Sequence, residues 1–263
     1  MTKLRPPAVA PARNLWRKAE VLEILAETPR VKSLLLRVPG WTGHRPGQHV
    51  DVRLTAEDGY TAERSYSIAS APQAAMPERE IIELTIERLG DGEVSPYLTG
   101  QLRPGDRFEL RGPIGRYFTW TIESGGPVIF VVGGTGLVPI MAMLRHRAAR
   151  ASRIPAWLLV SSRSYEDIVY RKELEQMETA GDGLRIIHTL TRSQPPDWRG
   201  FRRRIDREML RATMPPPEAH PLAYVCGPEQ MVEAVANALV ELGHDPKCVK
   251  TERFGPSGAD GAP

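Results

Sequence analysis

Residues 127–132 form an unbroken apolar run, and the chain then turns on Gly133-Gly134-Thr135-Gly136. A strand with no polar alternation has both faces covered, and a glycine turn leading from it into a helix opens a parallel α/β unit. The downstream sequence continues this pattern. Ile140, Met141 and Leu144 mark one apolar side of a helix. Residues 156–160 read as a second buried strand and 168–177 as a helix with Leu174 and Met177 inward. Residues 184–190 and 221–225 read as further strands, 229–242 as a strong helix and 247–251 as a last strand. Apolar strands alternating with helices predict a parallel sheet covered on both faces.

Upstream the period is two. Val50, Val52 and Leu54 alternate with Asp51 and Arg53, and Ile82, Leu84 and Ile86 alternate with Glu83, Thr85 and Glu87. Such stretches are half-buried antiparallel strands. Pro-Gly pairs at 39–40, 46–47 and 104–105 punctuate them as turns. Frequent strands and turns predict a small closed barrel, with a short helix within 92–102. The expected architecture is therefore two-domain. A flexible Pro-rich lead covers 1–17, an antiparallel six-stranded β-barrel 18–123, an α/β parallel-sheet nucleotide-binding domain 124–255 and a tail 256–263. The linker falls at 123–126.

Composition narrows the function classes. A chain of 263 residues has room for two cores, and no apolar run approaches the ~20 residues of a membrane span. The first acidic residue is Glu20, a weak likeness to a transit peptide, but Pro6, Pro7 and Pro11 fit a disordered tail better. Cys226 and Cys248 are the only cysteines, too few for a disulfide framework or an iron–sulfur cluster that takes about four. No metal is implied, and a reducing cytoplasm is the simplest compartment. A net charge of +3 is too small for a nucleic-acid footprint but compatible with a local basic face that docks an acidic protein.

The segments that carry chemistry are short. In Arg64-Ser65-Tyr66-Ser67, arginine offers a fork of donors suited to a phosphate, tyrosine a flat ring with a hydroxyl, and serine a small donor. The same tetrad also reads as an amphipathic strand. Gly92-Glu93-Val94-Ser95 opens a helix whose free N–H groups favour an anion, or is a hairpin turn with a capping serine. Gly133 to Gly136 lacks the G-x-G-x-x-G spacing, so it is not the dinucleotide fingerprint on that ground. It still lets backbone amides approach a pyrophosphate at a helix start. Cys226-Gly227-Pro228 ends a strand, where open parallel sheets place ligands, although a lone cysteine also reads as a small buried apolar group.

Arg64 to Ser67, Gly92 to Ser95, Gly112 to Gly115, Gly133 to Gly136 with Pro139, Cys226 to Pro228, and Glu252-Arg253-Phe254-Gly255 occur in that order. The series resembles the ferredoxin–NADP reductase superfamily over roughly 20–255. The resemblance implies FAD bound on the barrel and NAD(P)H on the α/β half. Arg64 would neutralise the flavin phosphates, Tyr66 would pack on the isoalloxazine, and Ser67 would hydrogen-bond near its N5. Gly92, Val94 and Ser95 would hold the pyrophosphate. Gly134, Thr135, Gly136, Cys226, Gly227 and Pro228 would surround the nicotinamide nucleotide, with Thr135, Cys226 and Glu252 shaping the nicotinamide pocket. Plant-type members end on a tyrosine that covers the flavin. Here Phe254 is followed by a Gly- and Pro-containing tail, which leaves its stacking role open.

For the 2′-phosphate of NADP, charge placement favours Ser161, Arg163, Arg192 and Arg204, with Tyr170 and Arg171 on the next helix. NADPH is thereby favoured, with NADH possible. The expected acceptor is a ferredoxin or another one-electron carrier protein. The competing readings are a dedicated reductase component of an oxygenase or other redox system and a non-catalytic relay subunit. The latter is disfavoured because relatives of that kind carry a cysteine-rich cluster module.

Overall fold

The computed structural model describes residues 15–73 and 80–254. The expected lead at 1–17 and tail at 256–263 lie almost wholly outside them.

The period-two segments form strands β1 (Arg17–Thr28), β2 (Val31–Arg37), β3 (His49–Thr55), β4 (Thr61–Ser67), β5 (Ile81–Glu87) and β6 (Arg107–Ile114). They make one antiparallel sheet in the order β4-β3-β6-β1-β2-β5. It closes on itself between the end of β4 and β5: Ile68 bridges Leu84, and the Ala69 N–H donates to the Glu83 carbonyl at 2.8 Å. Val50, Val52, Ile82, Leu84 and Ile86 point into the barrel and are fully buried. Helix α1 (Val94–Gly100) packs over β4 and β5, beside that seam.

The second half holds β7 (Val128–Gly133), α2 (Leu137–Ala149), β8 (Ala156–Ser162), α3 (Arg171–Thr179), β9 (Leu184–Leu190), α4 (Arg207–Thr213), β10 (Leu222–Pro228), α5 (Glu229–Glu241) and β11 (Val249–Phe254). The sheet order is β11-β10-β7-β8-β9, all neighbours parallel. Covered faces explain the unbroken apolar β7, every residue of which is buried.

Three local expectations change. The helix expected at 168–177 begins at Arg171, because Tyr170 adopts the left-handed conformation (φ 54°) and Ile168 to Tyr170 turn inward as buried side chains. Helix α4 was not expected. It is seven residues long, started by Asp206 accepting the Met209 N–H at 2.7 Å and anchored by buried Met209 and Leu210. Helix α2 is buried from Leu137 through Leu144 and not on one side alone. It lies between its own sheet and the barrel, where Arg145 reaches the Ala69 carbonyl at 3.0 Å and Met143 lies close to Gly47.

Candidate active site

On the barrel the site is built on β4. Its residues alternate between two environments. Glu63 and Ser65 join a charged face with Asp51, Arg53, Glu109 and Arg111: Ser65 donates to Asp51 at 2.6 Å, Arg53 meets Glu109 at 3.0 Å and Arg111 meets Asp51 at 3.0 Å. Arg64 and Tyr66 are half-buried on the opposite side, and Tyr66 packs against the barrel core. Burial pushes the Tyr66 phenol up, with Arg64 opposing it, so the ring stays neutral. Arg64 donates to the Glu63 carbonyl at 2.7 Å and, unlike Arg53 and Arg111, has no carboxylate partner among the described residues.

Ser67 is buried, and its Oγ has no hydrogen-bond partner among the described residues. A buried orphan hydroxyl costs free energy unless something binds to it. Next to it, the α1 turn is tied by Ser95, whose Oγ accepts the Leu89 N–H at 3.0 Å. That bond occupies a lone pair and leaves the hydroxyl proton free. No side chain caps α1, so the N–H groups of Val94 and Ser95 have no intrahelical partner. Gly92 sits in the same turn, its N–H on the Leu89 carbonyl at 3.2 Å.

On the α/β half the two glycine-bearing strand ends interlock. Cys226 stands beside Val132 on one side and Glu252 on the other. A Cβ on Gly136 would lie 2.2 Å from the Cys226 carbonyl oxygen, and one on Gly227 3.0 Å from the Gly133 nitrogen. Only glycine allows this approach. Gly134 differs: its φ is +55° and nothing lies within 4 Å of where a side chain would begin. It is open backbone at a strand-to-helix turn, the form that a pyrophosphate needs. Burial holds the Cys226 thiol well above its usual range, with Glu252 adding to it, so it is a neutral thiol. Burial also raises Glu252, to about 7. Pro228 aligns with half-buried Phe254, which packs on the sheet's core.

Ser161 aligns with Gly133 at the end of β8. The Arg192 and Ser193 N–H groups both donate to the Arg163 carbonyl, at 2.9 and 3.2 Å, which binds these two loops together. The chain at 201–204 runs along β9: Phe201 bridges Thr189, and Thr189 donates to the Arg203 carbonyl. Arg163, Arg192 and Arg204 are exposed and have no acidic partner among the described residues. Tyr170 does not join them. Its hydroxyl donates to Thr85 of the barrel. Cys248 precedes β11 and is not near Cys226, whose neighbour on that strand is Glu252.

The comparisons with known proteins agree with this architecture. Residues 21–119 match the oxidoreductase FAD-binding domain family and 130–237 the oxidoreductase NAD-binding domain family. A ferredoxin–NADP reductase B of Sorangium cellulosum is 36% identical over 216 residues, covering 79% of this chain and 84% of that protein. The chain belongs to the ferredoxin–NADP reductase superfamily. It is an FAD-dependent oxidoreductase that uses NAD(P)H. Within the superfamily it is also 31% identical to a glycine betaine monooxygenase reductase subunit of Pseudomonas aeruginosa, over 81% of this chain but only 57% of that one. The flavohem-like FAD/NAD-binding domain of nitric oxide dioxygenase from Vibrio cholerae superposes with a TM-score of 0.79 at 25% identity, covering 91% and 99% of the two chains. No helix among the described residues is long and apolar enough to cross a membrane.

The residues present fit both cofactors. Among the described residues the Ser67 hydroxyl has no partner, Arg64 has no carboxylate, and the Gly134 turn is open, all of which leave room for bound cofactors. Sequence reasoning missed the residues that join the two halves of this reductase. Arg145 binds Glu173 through two nitrogens at 2.8 and 2.7 Å and Glu83 at 3.0 Å. Thr135 donates to Glu87 at 3.3 Å. The available signal was an arginine on a helix face that otherwise reads as apolar.

Proposed function

We propose that the protein oxidises NADPH and delivers single electrons to a ferredoxin or similar one-electron carrier. The observation that carries the NADPH preference is that Arg163, Arg192 and Arg204 are exposed, have no acidic partner among the described residues, and lie on loops tied by backbone bonds at the ends of the strands carrying Ser161 and Thr189. A 2′-phosphate would satisfy that charge, and NADH would not.

When bound, NADPH supplies a hydride and FAD divides its electron pair into two one-electron transfers. The chain's own groups do the rest. Arg64 and the free α1 N–H groups of Val94 and Ser95 hold the flavin's phosphates, Gly92 shapes the turn that presents them, and the free proton of Ser95 adds a donor. Tyr66 lies on the flat ring. Ser67 donates to the ring nitrogen where charge develops, which accounts for its orphan hydroxyl. Gly134, Thr135 and Gly136 with Gly227 and Pro228 bring backbone to the nicotinamide nucleotide. Cys226, as a neutral thiol, fills the space beside the nicotinamide without adding charge. Glu252, raised by burial to about 7, exchanges a proton beside it near neutral pH. Phe254 closes the edge of the site.

Steady-state rates with NADPH and NADH, across a panel of ferredoxins, test the reading. The expected result is FAD release on heating and a kcat/KM that favours NADPH at least about tenfold, the value of one charge-assisted contact. Equal rates with both nucleotides overturn the NADPH reading. A second reading, the reductase component of an oxygenase, draws on the likeness to the monooxygenase reductase subunit. Indifference to free ferredoxins, with fast transfer to an oxygenase component, would favour it.

A further inference from the structure

The outward face of β5 has an unusual set of partners. Its inward residues Ile82, Leu84 and Ile86 fill the barrel, so Glu83, Thr85 and Glu87 face out. Each meets a different part of the α/β half. Glu83 receives Arg145 of α2 at 3.0 Å, Thr85 receives the hydroxyl of Tyr170 from the turn before α3, and Glu87 receives Thr135 of the glycine turn at 3.3 Å. The contacts are buried or partly buried. Thr85 is 4% and Tyr170 3% exposed, and the Arg145 guanidinium also stacks over the Tyr170 ring at 5.0 Å. Behind Thr85 the chain of bonds continues to Ser33 at 2.8 Å and from Ser33 to Glu27 at 2.8 Å. Arg30 links Glu87 at 3.6 Å to Asp167 at 3.7 Å.

The same strand forms the barrel seam. Leu84 bridges Ile68, the neighbour of Ser67. One strand therefore pairs with the residue next to the serine assigned to the flavin and, two residues beyond Thr85, meets the threonine assigned to the nicotinamide. We infer that Glu83, Thr85 and Glu87 are a positioning strip that sets the distance and angle between the two cofactor sites, with Arg145, Tyr170 and Thr135 as its three anchors. The contacts are directional hydrogen bonds at fixed two-residue spacing, so they define register as well as attraction. An apolar interface of the same size would permit sliding; hydride transfer does not, because a misplacement near 1 Å costs on the order of a hundredfold. The inference rests on the roles of Ser67 and Thr135 given above.

Thr85→Val keeps the shape and removes the hydroxyl, and Thr85→Ser keeps the hydroxyl. Glu83→Gln weakens the Arg145 contact. In cofactor-free protein, amide hydrogen exchange at residues 83–87 and at Tyr170 is expected to quicken at least about tenfold in Thr85→Val/Glu83→Gln, with β3 unchanged. In FAD-loaded protein, the limiting rate of flavin absorbance loss at saturating NADPH is expected to fall about tenfold or more. FAD content and the Kd for NADPH should stay within about twofold, and Thr85→Ser should track the wild type. An unchanged limiting rate, or Thr85→Ser falling as far as Thr85→Val, overturns the inference. So does unchanged exchange. A wild-type protein whose flavin is not reduced by either nucleotide would instead sink the functional reading, and the exchange result would still decide whether the strip docks the two halves.

Discussion

The two ends of the nicotinamide-nucleotide site are built differently. At the glycine turn and Cys226, backbone meets backbone, side chains are absent or buried, and the protein's own packing sets the geometry. At Arg163, Arg192 and Arg204, only the backbone is fixed, and exposed guanidinium groups carry the recognition. The first arrangement suits chemistry, which needs position. The second suits choice between nucleotides, which needs charge and tolerates mobile side chains. If this contrast is right, substitutions at the first end should damage the fold and both nucleotides alike. Substitutions at the second should leave the fold intact and distinguish the nucleotides.

The largest effect is expected at Gly136. Gly136→Ala drives a Cβ to 2.2 Å from a carbonyl oxygen and 2.6 Å from the carbonyl carbon of Cys226, neither of which can swing away. The α/β half should lose about 3 kcal/mol. Thermal denaturation should show this, with both nucleotides binding poorly and FAD still on the barrel. Next is the arginine end. Arg192→Ala with Arg204→Ala should cost about 1.5–3 kcal/mol of NADPH binding per lost contact. The NADPH KM should rise tenfold or more by that figure, with the Tm and the NADH KM nearly unchanged. Equal losses for both nucleotides would erase the contrast. Gly134→Ala sharpens it from inside the first end. It meets no protein atom, so its stability cost is only the left-handed backbone at φ +55°, about 1–2 kcal/mol. Its added methyl should still weaken both nucleotides in a binding titration.

The same contrast explains what could be read from the sequence. The barrel and the parallel sheet follow from period, because alternation and unbroken apolar runs report which faces are covered. Thus Val50 and Val52 and the whole of β7 sit where the pattern puts them. Glycine turns were legible for a similar reason, since close approach forces Gly136 and a positive φ favours Gly134. What period could not show is a polar face covered by polar partners. Glu83, Thr85 and Glu87 read as a solvated side, yet Arg145 and Tyr170 cover Glu83 and Thr85. The start of α3 was misplaced for the same reason. The left-handed φ of Tyr170 starts the helix at Arg171, three residues later than expected, and its hydroxyl meets Thr85 of the barrel. Within the sheet, α4 was too short to show a period at all.

The smallest effects are slopes with pH, and the two ends should slope in opposite directions. Glu252 belongs to the first end. Burial raises its folded pKa from 4.5 to about 7, so between those values the folded chain keeps a proton that the unfolded chain has released. Its contribution is fully present below 4.5 and is lost as pH rises through about 7. His188 belongs to the other end, where it packs edge-on against Trp198 at 6.2 Å with a buried, unpartnered Nδ1. Burial lowers its folded pKa from 6.5 to about 4, so the folded chain refuses a proton that the unfolded chain accepts. Its contribution is present above 6.5 and is lost as pH falls through about 4. Tm measured from pH 4 to 8 should therefore flatten on opposite sides in the two variants: Glu252→Gln removes the decline towards neutrality, and His188→Leu removes the decline towards acid. Should both variants flatten the same limb, burial would not be what shifts these two groups, and the desolvation of Glu252 and His188 by their own packing would fail as the cause.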